Sequence, residues 1–139
     1  MKYAVVYKSK RNNKKLAHAI GEAIGVIPQE LAAFDTNQEV DVLFFGASIY
    51  GGGVAPDVLT YIEKFTSDKI KKLILFSASG FGTNQYQTLI DKFKSQGIAV
   101  EEEVYTCLGR AFFFKNHNHP NAEEVNGVAS FARKHVNAR

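Results

Sequence analysis

The chain has 139 residues, of which 45% are hydrophobic, and it carries a formal net charge of +3. This length and composition predict one domain over residues 1–139, and the charge is too small to indicate nucleic-acid or membrane binding. A single cysteine, Cys107, excludes an internal disulfide and a four-cysteine metal site. The N-terminal apolar run, residues 3–7, is too short for a signal-peptide core or a membrane span, so we expect a cytoplasmic protein.

Apolar runs rich in β-branched and aromatic residues predict the strands. Four such runs cover residues 3–7, 40–46, 72–77 and 98–105. Residues 25–31 are a weaker candidate, and Pro28 places that strand at a sheet edge. The runs at 40–46 and 72–77 are continuously apolar at their centres, which is typical of parallel strands covered on both faces.

Amphipathic segments with a 3.6-residue period occupy the intervals between the strands. These predicted helices cover residues 16–24, 58–65, 85–96 and 122–136. Gly25 and Gly97 are expected to end the first and third helices. Strands alternating with single helices predict an α/β, doubly wound, five-stranded parallel sheet of order 2-1-3-4-5 with helices on both faces.

Two glycine-rich loops follow the third and fourth predicted strands, where such a sheet binds ligands. Their sequences are Gly46-Ala47-Ser48-Ile49-Tyr50-Gly51-Gly52-Gly53 and Ser77-Ala78-Ser79-Gly80-Phe81-Gly82-Thr83-Asn84. Glycines let backbone N–H groups approach a planar ligand closely, and Tyr50 and Phe81 would supply apolar walls. A plain strand-to-helix connection, with Phe81 closing the core, is the alternative interpretation.

The order and spacing of these motifs resemble the flavodoxin family, in particular the short-chain flavodoxins and flavodoxin-domain proteins that carry FMN. The similar segments are residues 7–10, 14–17, 45–53, 76–80, 107–110 and 119–121. The resemblance runs the length of the chain and implies a flavodoxin-like fold with FMN as cofactor. By position, the contacts to the flavin ring would come from Ser48, Ile49, Tyr50, Gly51 and Gly52 on one side and from Ser79, Gly80, Phe81 and Gly82 on the other.

The segment that corresponds to the family's phosphate loop departs from the family pattern. It reads Ser9-Lys10-Arg11-Asn12-Asn13-Lys14 and lacks the glycine and the threonines that the family uses there. In one interpretation, cationic side chains and the Ser9 hydroxyl hold the FMN phosphate, and an asparagine supplies the left-handed backbone in place of glycine. In the other, phosphate binding has been lost and the basic cluster is solvated surface.

The resemblance implies an FMN-binding electron-transfer protein that passes electrons between a reductase and an acceptor enzyme. The positive net charge favours partners with acidic surfaces. Two alternatives stay open: an FMN-dependent oxidoreductase acting on a small substrate such as a quinone or porphyrin precursor, and a flavin-free interaction domain. We predict no catalytic residue and no metal site, because His117 and His119 lie in a polar turn without nearby carboxylate or thiol ligands.

Overall fold

A parallel β-sheet organises the computed structural model, which describes residues 2–8, 12–47, 56–78, 86–101, 104–107 and 122–137. Its strands are β1 (Tyr3–Lys8), β2 (Gln29–Glu30), β3 (Val40–Ala47), β4 (Ile70–Ala78), β5 (Ala99–Val100) and β6 (Tyr105–Cys107). They are arranged in the order β2-β1-β3-β4-β5, and β6 also pairs with β4. The predicted order 2-1-3-4-5 is therefore confirmed, with the short strand after Pro28 at one edge.

The fifth position of the sheet is divided between two short strands. Between the Leu73/Val100 and Phe76/Tyr105 pairs, β4 advances by three residues and its partner by five, which gives the partner two extra residues. The single continuous strand predicted at residues 98–105 is therefore wrong. Pairing with β4 extends to Glu101, whose N–H donates to the Leu73 carbonyl at 2.9 Å and whose carboxylate lies 3.3 Å from the Lys72 ammonium. The two extra residues then change the register, which one unbroken ladder cannot accommodate.

Four helices cover the two faces of the sheet. They are α1 (Asn12–Ile24), α2 (Pro56–Ile62), α3 (Tyr86–Ser95) and α4 (Ala122–Asn137). Side chains of α1 and α4 share one buried cluster, and those of α2 and α3 share the other. All four predicted helices are found, although α1 begins at Asn12, before its apolar stripe, and α2 ends at Ile62 rather than at Phe65.

Successive side chains of the central strands β3 and β4 pack alternately into the two cores. Phe44 faces the cluster of α1 and α4, whereas Phe45 faces that of α2 and α3, and neither ring is exposed. The Phe45 ring meets the edges of Phe65 at 6.0 Å and Phe93 at 5.6 Å between ring centroids. Burial on both faces explains why these strands read as continuous apolar runs.

Left-handed glycines end the first and third helices, as predicted. Gly25 has a φ of 78° and Gly97 a φ of 83°, a region that other residues rarely adopt. In both cases the following N–H group turns back to the last helical turn, from Val26 to the Gly21 carbonyl at 2.9 Å and from Ile98 to the Phe93 carbonyl at 3.2 Å. These are Schellman-type caps, and they direct the chain from each helix into the next strand.

Candidate functional site

Four strands end at nearly the same level of the sheet, which we call the carboxyl edge. Lys8 pairs with Ala47, Gly46 with Phe76, and Ala78 with Cys107. The chain leaves this edge at residues 9–11, 48–55, 79–85 and 108–121, so the three loops predicted to converge all start from it. In a sheet of this order the edge is the ordinary place for a ligand.

Most of the predicted site residues lie in those segments, outside the described residues, and their ligand contacts stay predictions. They are Ser9, Lys10, Arg11, Ser48, Ile49, Tyr50, Gly51, Gly52, Ser79, Gly80, Phe81 and Gly82. His117 and His119 also lie there. The remaining predicted site residues are Asn12, Asn13 and Lys14, which open α1.

Asn13 connects the end of β1 to the beginning of α1. Its side chain is completely buried, and its amide Nδ2 donates a hydrogen bond to the Lys8 carbonyl at 3.4 Å. This contact spans residues 9–11 and holds the two ends of the predicted phosphate loop together. The left-handed backbone predicted for Asn12 or Asn13 is wrong, because both residues belong to the right-handed helix α1.

The first turn of α1 is basic. Lys14 and Lys15 are exposed, and the turn contains no acidic residue. The N-terminus of a helix carries partial positive charge and normally favours acidic side chains, so two lysines there are unfavourable for the helix alone. The binding of a phosphate at this turn stays a prediction.

On the face covered by α2 and α3, the last two rows of side chains across the sheet differ in character. The inner row, Val6, Phe45 and Leu75, is apolar and buried. The next row, which we call the terminal row, is not uniformly apolar: Lys8 pairs with Ala47, and the backbone of Ser77 pairs with that of Thr106. Ser77 is only 1% exposed, and its hydroxyl has no hydrogen-bond partner among the described residues.

The opposite face of the same edge is closed by aromatic rings. The Phe76 ring lies directly over Gly46, where an added Cβ atom would overlap it. Farther along the edge, the Tyr105 ring packs against Phe131 of α4 at 5.6 Å between centroids. Gly46 therefore serves strand packing, although the sequence placed it at the start of a ligand loop.

The described part of the chain contains no cluster of metal-ligand side chains and no helix of membrane-spanning character. No three His, Cys, Asp or Glu side chains there are grouped so that they could hold a metal ion. None of the helices is long and apolar enough to cross a membrane, within the same ranges. Asp68 has a lowered pKa, chiefly because the Thr66 side chain hydrogen-bonds its carboxylate, but it precedes β4 and lies at the other edge.

The fold agrees with several solved structures at low sequence identity. A flavodoxin from the domain Archaea superposes with a TM-score of 0.77 at 17% identity, over 95% of this chain and 94% of that one. A Streptococcus pneumoniae TIGR4 flavodoxin gives 0.67 at 16% identity, with 100% of both chains covered. Rubredoxin oxygen:oxidoreductase from Desulfovibrio gigas gives 0.71 at 14% identity, over 95% of this chain but 34% of its own.

Sequence comparison alone finds no relative: no protein-family model matches the chain, and no curated protein matches it significantly. The structural likeness covers the whole sheet and its helices, including the strand order at the carboxyl edge. The fold of this chain is flavodoxin-like.

Proposed function

We propose that this chain is an FMN-binding electron-transfer protein that works in the cytoplasm between a reductase and an acceptor enzyme. The observation that carries the proposal is the basic first turn of α1 at the carboxyl edge, from which the Tyr50 and Phe81 loops also leave. A phosphate and a planar ring are the two parts of FMN that these features match.

The described residues fit a flavin nucleotide in two further respects. Asn13 fixes the ends of residues 9–11, where Lys10 and Arg11 would meet the phosphate. Ser77 offers a buried hydroxyl that lacks a partner in the described structure. FMN would supply one- or two-electron transfer, while the chain's own loops would bind the ring and exclude water from one of its faces.

The proposed partners carry acidic docking surfaces. The chain has a net charge of +3, and Lys14 and Lys15 are exposed beside the carboxyl edge. Electrostatic attraction of this kind speeds association and weakens as salt screens it. We therefore expect electron transfer to an acidic partner to slow as ionic strength rises.

The decisive experiment is FMN binding by the purified chain. We expect quenched flavin fluorescence on titration with FMN and a yellow protein after desalting. A colourless protein that leaves FMN fluorescence unchanged at low salt would contradict the proposal and favour a flavin-free interaction domain. Turnover of NAD(P)H with a quinone by the loaded protein alone would instead identify a stand-alone oxidoreductase.

A double variant tests the phosphate contact. Changing Lys10 and Arg11 to Ala should weaken FMN binding by about ten-fold or more, because charged hydrogen bonds to phosphate are strong. Riboflavin, which lacks the phosphate, should bind both proteins equally. The matched control is Lys64→Ala with Lys71→Ala, which removes two exposed cations near the other edge. Equal loss in both double variants would mean that overall charge, not the loop, controls affinity.

A further inference from the structure

We propose that Ser77 is a ligand-binding residue whose hydroxyl hydrogen-bonds the flavin portion of the nucleotide, either its ring or its ribityl chain. The inference rests on the proposed function, since it names a contact within the same site. Ser77 lies next to the last residue of β4, on the face covered by α2 and α3. In the sequence Ser77 opens the second glycine-rich loop, but no ligand contact was predicted for its side chain.

In the described structure the Ser77 hydroxyl is buried at a cost in free energy. Ser77 is 1% exposed, and its Oγ has no partner in the described structure. A buried hydroxyl without a hydrogen bond costs free energy, whereas an alanine of nearly the same size would not. Buried polar groups normally have a partner, so a ligand that supplies one would explain the serine.

Two other polar side chains, those of Gln96 and Ser95, differ from Ser77 because they make hydrogen bonds. Gln96 also has a buried oxygen without a partner, but its amide nitrogen donates hydrogen bonds to the Ile62 and Phe65 carbonyls. Those two bonds account for the burial of Gln96. Ser95, in turn, donates its hydroxyl to the Lys92 carbonyl at 2.6 Å. Ser77 has no comparable bond, so nothing within the described structure accounts for its hydroxyl.

The position of Ser77 in the sheet indicates which part of the nucleotide its hydroxyl would contact. Ser77 belongs to the terminal row, one step beyond the apolar row of Val6, Phe45 and Leu75. Ala47, which follows the Gly46/Phe76 pair, contributes only a methyl group to the same row. The predicted phosphate turn belongs to α1, which covers the opposite face of the sheet. The hydroxyl therefore matches the flavin portion of FMN rather than its phosphate.

The test is Ser77→Ala, studied without and with ligand. Loss of one hydrogen bond should weaken FMN binding by about 3- to 10-fold, and riboflavin binding by the same factor. The denaturation midpoint of the flavin-free variant should stay unchanged or rise, because an unsatisfied buried group has been removed. The matched control, Ser95→Ala, removes a partnered hydroxyl from the other end of the fold. It should lower the midpoint slightly and leave both affinities unchanged.

The outcomes separate this inference from the proposed function. If the unmodified protein binds no FMN, the proposed function fails. A second outcome is that the unmodified protein binds FMN and Ser77→Ala binds FMN and riboflavin as tightly as the unmodified protein does. In that case only the proposed role of Ser77 is overturned. A lower midpoint for flavin-free Ser77→Ala, including failure to fold, would also overturn it by showing that the hydroxyl supports the fold. A loss confined to FMN would assign the contact to the phosphate and contradict the proposal as stated.

Discussion

The two edges of the sheet are built from the same strands but treat their polar groups differently. At the amino edge, where the strands begin, Gln96 joins the ends of α2 and α3, and the Lys2 N–H donates to the Asp41 carboxylate at 2.7 Å. At the carboxyl edge, the Ser77 hydroxyl lacks a described partner and lysines occupy the start of α1. At the amino edge the Gln96 side chain makes two hydrogen bonds within the chain, although its Oε1 atom has no partner among the described residues. At the carboxyl edge the Ser77 hydroxyl makes no hydrogen bond in the described structure, and a polar ligand would supply one.

The largest effect at the amino edge is expected from Gln96→Ala. The Gln96 amide donates to the Ile62 carbonyl at 2.9 Å and the Phe65 carbonyl at 2.7 Å, and both would lose this donor. We expect a loss of about 1–2 kcal/mol in the free energy of unfolding, measured by urea denaturation, with FMN affinity unchanged. Gln87→Ala is the control, because exposed Gln87 contacts only Asp91 on its own helix in the described bonds, a pair worth about 0.2–0.5 kcal/mol.

If Gln96→Ala were no more destabilising than Gln87→Ala, the amino edge would not be held by this side chain. If it weakened FMN binding as strongly as Ser77→Ala, the two edges would not be functionally distinct. Either result would contradict the distinction between the amino edge and the carboxyl edge, on which the assignment of the ligand site depends.

A smaller effect is expected from the glycine caps that turn the chain toward the amino edge. Gly25→Ala should cost about 1 kcal/mol of unfolding free energy, because its positive φ is unfavourable for alanine. Nothing lies within 4 Å of an added Cβ at Gly25, so the cost is purely one of backbone conformation. Gly97→Ala should cost more, since its Cβ would lie 3.1 Å from the Ser67 hydroxyl. If the contact with Ser67 added no cost, thermal or urea unfolding would show Gly97→Ala to be no more destabilising than Gly25→Ala.

The smallest expected effect is the pH dependence contributed by Asp68. Its pKa is lowered from 3.8, first by the hydrogen bond from the Thr66 side chain and then by nearby lysines. A lowered pKa in the folded state stabilises the protein above the unfolded pKa, and this contribution is lost as the pH falls through the folded value. Asp68→Asn should therefore lower the thermal midpoint slightly at pH 7, and the difference should disappear as the pH falls through the lowered pKa of the Asp68 carboxyl group. A difference that grew at acid pH would contradict this sign.

Much of the fold was predictable because the signals are local or periodic. The continuous apolar runs of β3 and β4 indicated burial on both faces, and Gly25 and Gly97 indicated helix ends. The undivided fifth strand was a wrong prediction, since β propensity does not show where the register between two strands changes. The left-handed asparagine was also wrong, because the position at which α1 begins depends on packing against the sheet.

Two side chains to which sequence reasoning gave no role, those of Ser77 and Gln96, gain their significance only in the assembled fold. Ser77 looks like any small residue at a strand end, and Gln96 like any polar residue at a helix end. Ser77 is significant because it is buried. Gln96 is significant because it donates to carbonyl groups more than thirty residues away in the chain. Asn13 was expected to act through its backbone, whereas its buried side chain fastens the loop to β1.

The sequence by itself determined the order of strands and helices, and therefore the edge at which ligands are expected, because periodicity and turn residues act over a few neighbouring positions. The tertiary structure alone decided which polar groups at that edge are satisfied. Register across the sheet places Ser77 in the terminal row, where it is buried, so its missing hydrogen bond is a property of the assembled fold.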